Sequence, residues 1–276
     1  MRRLAADGHE VVVFHRGEHE GDLPKQVRHI RSEEAAMPVC TIPEELRRLE
    51  PEVVVHMIAM GEQDALIAVT AFAGVAGRLV VASSGDVYRA YDVCRNRDAG
   101  PADPAPLRED SQLRTQLYPY RDQAAPGSLE YDYDKILVER AATADPRLPT
   151  TILRFPKLYG PGDNGDLATV YAYREHPHWR WTHGYVENVG AAVALAATDG
   201  RASGQIYNVG EEHTPTMGER LAKLPPNDVP LSTVPLNYDQ PIVYDTSRIR
   251  SELGYREVID EREAMERLAR RMQKRR

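Results

Sequence analysis

The chain has 276 residues, 42% of them hydrophobic and 28% charged, a balance that supports a full core and excludes collagen-like, disordered and membrane-spanning classes. The formal net charge of −7 argues against a broad nucleic-acid surface, and the locally basic stretch 267–276 reads as a solvated helix end. Cys40 and Cys94 lack metal-type spacing and read as free thiols, so no metal site is expected. Without a long apolar run or a secretory signal, the expected address is cytoplasmic and no membrane partner is expected.

In chain order, β-rich runs at Glu10–Phe14, Glu52–Met57, Arg78–Ser83, Thr150–Phe155 and Gln205–Val209 alternate with helical stretches. The runs VVVF, VVVH and RLVVAS are apolar on consecutive residues, the pattern of strands covered on both faces. Helices are predicted after Pro43, with Glu44 and Glu45 in the first turn, and at Asp64–Ala76, Tyr131–Ala144, Val186–Thr198 and Ile259–Met272. The rhythm predicts a doubly wound α/β fold with a parallel sheet and a small C-terminal lobe for substrate. Residues 1–160 are expected to form the Rossmann-like core and 161–276 the last core elements plus that lobe. A polar, proline-rich stretch at 91–127 reads as an irregular excursion of the kind that forms lids.

Tyr131 and Lys135 stand four residues apart in Y-D-Y-D-K before ILVERAA, so a helix through both would put them on one face. A tyrosine becomes a usable acid/base near neutral pH when a neighbouring cation favours its anion. Alone, the pair is also what an ordinary surface helix offers. Upstream, RLVVAS runs into Ser83-Ser84-Gly85-Asp86-Val87-Tyr88, placing the Ser84 hydroxyl at the carboxyl end of a parallel strand, where open α/β sheets bind ligands. Trp179 and Trp181 flank Arg180 and read as packing; His56, His183 and His213 are scattered and receive no role.

Taken together, S-S-x-x-V-Y, then Y-x-x-x-K, then Arg154-Phe-Pro-Lys-Leu-Tyr159-Gly160-Pro161-Gly162 resembles the extended short-chain dehydrogenase/reductase family of NAD-dependent epimerases and dehydratases. Gly8–Phe14, Pro51–His56, Tyr185–Val189, Ile206–Gly210 and Asp245–Tyr255 continue the resemblance over nearly the whole chain. It implies Tyr131 as general acid/base, Lys135 as the cation that favours its anion and holds the nicotinamide ribose, and Ser84 as the group that orients the reacting oxygen. It places Ala59 and Pro156 beside the cofactor and Ser84, Asp86 and Lys157 towards substrate. Hydride transfer would belong to NAD or NADP, with a sugar-like, nucleotide-linked alcohol or carbonyl as the small-molecule substrate. A homodimer through the helices after Asp64 and Tyr131 is implied by analogy.

The sequence departs from the family's pattern in three places. It opens at Met1–Gly8, resembling the end of a helix, without the first strand and glycine-rich phosphate turn, which reads as an N-terminally truncated gene model. At the end of the second family strand, His15-Arg16-Gly17 replaces the acidic ribose partner, favouring NADP over NAD. Gly85-Asp86 replaces the Asp-Glu pair of family dehydratases, arguing against 4,6-dehydration. Two other classes stay open: a non-catalytic binding or regulatory module, consistent with the absent glycine turn, and an RNA-binding relative, against which the net charge counts.

Overall fold

The computed structural model describes residues 1–17, 23–32, 41–161 and 167–274. Cys40 and Gly162 of the motifs above lie outside the described residues, whereas Cys94 is buried and free. Among the described residues no helix is long and apolar enough to cross a membrane.

The elements run α1 (Arg2–Ala6), β1 (Val12–His15), β2 (Arg28–Arg31), α2 (Glu44–Arg48), β3 (Val53–His56), α3 (Glu62–Phe72), β4 (Arg78–Ser84) and α4 (Arg89–Cys94). They continue with α5 (Lys135–Ala142), β5 (Thr150–Phe155), β6 (Lys157–Tyr159), α6 (Ala168–Ala172), β7 (His183–Tyr185), α7 (Val186–Thr198), β8 (Ile206–Asn208), α8 (Met217–Leu221), α9 (Ser247–Leu253) and α10 (Glu261–Lys274). All five expected strands form, and between β4 and α5 the chain is irregular after α4 except for a 3₁₀ turn at Arg121–Gln123.

Among the described residues the strands fall into three sheets: β1-β2, β3-β4-β5-β8 and β6-β7. Pairing is parallel where β1 meets β2, β3 meets β4 and β6 meets β7, with registers that align Val12 with Arg28, Val53 with Arg78 and Lys157 with His183. In β4, Leu79 to Ser83 are buried on successive residues, so both faces of the strand are covered, as the apolar run predicts. Sealing Leu79, Val80 and Val81 contributes about 1.5–3 kcal/mol each. The VVFH of β1 and VVVH of β3 are only half-buried, contrary to the expectation of full cover. The topology supplies the reason: among the described residues β3 is an edge strand, and β1 pairs within its own two-stranded sheet.

The chain divides into two compact units, each assembled from three segments: residues 1–83, 117–152 and 193–205, and residues 84–116, 153–192 and 206–276. A boundary after residue 160 divides the chain along its length, whereas these units interleave. In the first unit α3 packs on α5, whose Ile136, Leu137, Val138, Ala141 and Ala142 are all buried. In the second, α6 packs on α8 and α9 on β8.

Candidate active site

In the first unit the site is organised by the start of α5. Asp134 caps the helix: its Oδ1 accepts from the amides of Ile136 at 2.8 Å and Leu137 at 3.3 Å. Lys135 is therefore the first helical residue, and Tyr131 lies ahead of the helix in a turn where its amide donates to Ser128 O at 3.2 Å. This corrects the expectation of a helix running from Tyr131. The four-residue spacing reflects a turn followed by a capped helix, because the Asp134 carboxylate satisfies the first free amides and ends the helix there.

Lys135 is buried, and its Nζ donates to Ala59 O and, at 3.0 Å, to Ala82 O. Ala82 is near the carboxyl end of β4, and Ala59 lies in the loop that leaves β3. One turn on, Glu139 Oε1 accepts from the Ser83 hydroxyl at 2.6 Å, so the same side of α5 that carries Lys135 is fastened to β4. The β3 loop is held from further directions. Asp64 Oδ2 accepts from the amides of Met60 and Gly61 at 2.8 and 2.9 Å, and the Asp134 amide donates to Met60 O at 3.0 Å. A Cβ on Gly61 would lie 2.7 Å from Asp132 O, so only glycine allows this approach. Ala59 is fully buried, while Met57 and Ile58 are 50% and 51% exposed and give the loop an apolar rim.

At the end of β1 the Gly17 amide donates to His15 Nδ1 at 3.0 Å, which puts the His15 proton on Nε2, from which it is donated to His29 Nδ1 at 2.9 Å. Desolvation, then the charges of His29 and Arg31, hold the His15 imidazole below its ordinary pKa. Arg31 packs beside Gly17, so His15, His29 and Arg31 of the two strands stand near the turn that carries Arg16 and Gly17.

In the second unit Ser84 closes β4 and its Oγ accepts from the Asp86 amide at 3.2 Å, capping a 3₁₀ turn over Gly85–Val87. Asp86 is buried, and its carbonyl accepts from Arg114 Nε at 3.0 Å. Arg154 Nη1 donates to the Tyr88 hydroxyl at 3.0 Å, which donates to Asn208 Oδ1 at 2.6 Å; burial, opposed by Arg154, pushes the Tyr88 phenol up to about 12. Pro156 is buried against Gly184 and Gly210, and Lys157 begins β6 half-buried. Trp179 is core, donating to Gln240 O at 2.9 Å, and Trp181 donates to the Tyr91 hydroxyl at 3.2 Å; both pack, as expected. Among the described residues no group of three or more His, Cys, Asp or Glu is arranged to hold a metal ion.

The structure thus gathers Ala59, Tyr131 and Lys135 around the β3 loop and the start of α5 in the first unit, which also carries His15 and Arg16. Ser84, Asp86, Pro156 and Lys157 belong to the second. Sequence reasoning passed over Asp134, Glu139 and Arg121. Asp134 was findable, since an aspartate ahead of an apolar helical run is an N-cap signal. Glu139, four residues beyond Lys135, was findable as a carboxylate on the same helical side. Arg121 sits in a polar loop and carried no local signal.

The described architecture is a parallel, doubly wound α/β fold of the Rossmann type; the candidate residues of the first unit lie after β3 and at the start of α5, and those of the second follow β4 and β5. Solved structures with this fold include a Bordetella bronchiseptica enzyme, WbmG, in complex with NAD (18% identity, 99% of this chain and 88% of that one, TM-score 0.67). TunA, an NAD-dependent NDP-hexosamine 5,6-dehydratase of tunicamycin biosynthesis, is similar over 99% of this chain and 92% of its own (20% identity, TM-score 0.69). UDP-glucose 4-epimerase of Thermotoga maritima with UDP-glucose is similar over 99% and 94% (14% identity, TM-score 0.65). No family model and no curated protein sequence matches. At these identities the likeness establishes the fold.

Proposed function

We propose that the chain is an NAD(P)-dependent oxidoreductase or epimerase acting on a nucleotide-linked, sugar-like alcohol or carbonyl. The observation that carries this reading is the seat of Lys135, a buried cation donating to carbonyls near the carboxyl ends of two adjacent parallel strands, where this fold takes its ligands. The residues fit a dinucleotide in kind. Buried Ala59 and the apolar rim of Met57 and Ile58 suit a flat nicotinamide, and the basic group of His15, Arg16 and Arg31 suits a phosphate.

The cofactor supplies the site that accepts and returns hydride. In this reading Tyr131 takes or gives the proton of the reacting hydroxyl, and Lys135 holds the ribose and keeps the β3 loop in place. Ser84 hydrogen-bonds the reacting oxygen, Pro156 packs beside the nicotinamide, and Asp86 and Lys157 meet the substrate's polar groups. Position 85 has no room for a carboxylate, because Tyr244 occupies it, which counts against a 4,6-dehydratase. The same basic group after β1 supports NADP over NAD. The reading places the work in the cytoplasm and pairs two copies through α3 and α5, which sedimentation of the purified chain checks.

Calorimetric titration with NAD and NADP, followed by conversion of UDP-glucose with either dinucleotide, read as reduced dinucleotide and as altered sugar by chromatography, tests this reading. Binding of NADP tighter than NAD, levelled by Arg16→Gln, together with turnover lost in Tyr131→Phe, is expected. Binding of neither dinucleotide would overturn it and leave a non-catalytic module.

A further inference from the structure

Because Tyr131 precedes α5, no helical hydrogen bond fixes it, and the structure holds it by another route. The Arg121 Nε donates to Tyr131 O at 3.1 Å, and its guanidinium carbon lies 4.8 Å from the Tyr131 ring centroid. The same guanidinium lies 3.4 Å from the Tyr118 ring centroid and pairs with Asp132 at 2.9 Å. Tyr118 is itself constrained. It adopts a left-handed backbone at φ 55°, which a non-glycine residue keeps only when its surroundings enforce it, and its amide donates to Asp134 Oδ2 at 2.6 Å. The Arg121 amide then donates to Tyr118 O at 3.1 Å. The contacts close a circuit: the carboxylate that caps α5 holds Tyr118, Tyr118 holds Arg121, and Arg121 holds Tyr131 in both main chain and ring.

We propose that Arg121 is the positioning residue for Tyr131, setting where the phenol sits. The proposal rests on the reading of Tyr131 as the proton-transfer group. A guanidinium over an aromatic ring is attracted to its face. Asp132 is the acidic group paired with Arg121, and Lys135 is the other cation on this segment. A merely structural pin would lower stability and leave the turnover of the folded chain unchanged, which separates the two roles.

The test compares the native chain with Arg121→Gln, Arg121→Lys and Tyr131→Phe in two measurements. In the first, conversion of UDP-glucose in the presence of NAD or NADP is followed by chromatography of the sugar product. Arg121→Gln is expected to lower kcat about tenfold with KM little changed, because the phenol loses its placement while substrate binding is kept. Arg121→Lys, which keeps the charge and loses the planar fork, is expected to restore only part of that loss. The second measurement needs no turnover: calorimetric titration with the dinucleotide that the native chain binds. In Arg121→Gln its dissociation constant is expected to stay within about twofold of the native value. Native kcat in Arg121→Gln would overturn the role of Arg121, even if thermal stability fell, and so would a loss of kcat together with dinucleotide binding. Native activity in Tyr131→Phe would instead overturn the reading of Tyr131, and the role of Arg121 with it.

Discussion

Tyr244 places its hydroxyl where a side chain on Gly85 would begin: a Cβ built at residue 85 lies 1.4 Å from Tyr244 Oη and 2.2 Å from Cζ. The phenol is 3% exposed, is hydrogen-bonded to the Tyr91 hydroxyl at 2.7 Å, and is held far above its ordinary pKa, first by burial and then by the neighbouring Tyr91. It is a neutral strut against the turn that follows Ser84.

Gly85→Ala is therefore expected to destabilise the chain by about 1–3 kcal/mol, the cost of overpacking a filled site. Tyr244→Phe gives no relief, since the ring carbon still collides, whereas Tyr244→Ala makes room. Urea unfolding of the two single variants and Gly85→Ala/Tyr244→Ala checks this. Additive losses in the double variant would show that the collision is not what position 85 responds to.

Asp134→Ala removes two helix-cap bonds and leaves the Tyr118 amide without its carboxylate partner. The expected cost is about 2 kcal/mol, combining a lost N-cap with a stranded donor. Asp134→Asn keeps an acceptor for the cap amides but turns an NH2 donor towards the Tyr118 amide, so an intermediate loss is expected. Thermal melts of both variants decide, and equal losses would mean that charge rather than capping geometry matters.

His183 is fully buried with a ring nitrogen bonded to Trp181 O at 2.6 Å; desolvation, then the charge of Arg220, holds its pKa well below the ordinary value. The unfolded chain takes up this proton near pH 6.5 and the folded chain only at lower pH. The stabilising contribution is thus complete above about pH 6.5 and drains away as pH falls towards the folded value, by up to about 1.4 kcal/mol per pH unit. His183→Asn, which does not titrate, is expected to flatten the acid side of the stability profile between pH 7.5 and 5. An unaltered slope would assign the acid sensitivity to other groups.

Arg220 and Glu211 form an ion pair buried on both sides, and the Tyr159 hydroxyl donates to the same carboxylate at 2.7 Å. Desolvation pushes the Glu211 carboxyl up despite Arg220. Arg220→Met strands that carboxylate and is expected to cost about 3–5 kcal/mol, with Arg220→Met/Glu211→Gln recovering part of it. Denaturant midpoints at neutral pH measure both. No recovery in the double variant would mean that Arg220 acts through packing alone.

Much of this architecture was legible in the sequence because the runs at 78–83 and 150–155 are apolar on consecutive residues and the segments between them have helical period. Lys135 and Ala59 were legible as parts of a motif, and the structure joins them by a direct hydrogen bond. Tyr131 was misplaced onto a helix because spacing alone does not reveal that Asp134 turns its carboxylate onto the following amides. The half-exposure of β1 and β3 was hidden for a different reason: an apolar run states what a strand prefers, while strand order decides what covers it. Arg121 escaped notice because Tyr131 and Asp132, which it holds, lie 10 and 11 residues ahead, joined to it by the fold of a polar loop.

The interleaving of the two units bears on how the chain can be dissected. The chain crosses between them at 83/84, 116/117, 152/153, 192/193 and 205/206, so no single cut releases either one. A deletion meant to isolate one set of functional residues removes only pieces of a unit, and proteolytic fragments cannot be expected to keep either core. Recombination that exchanged one unit for another's would need several simultaneous junctions.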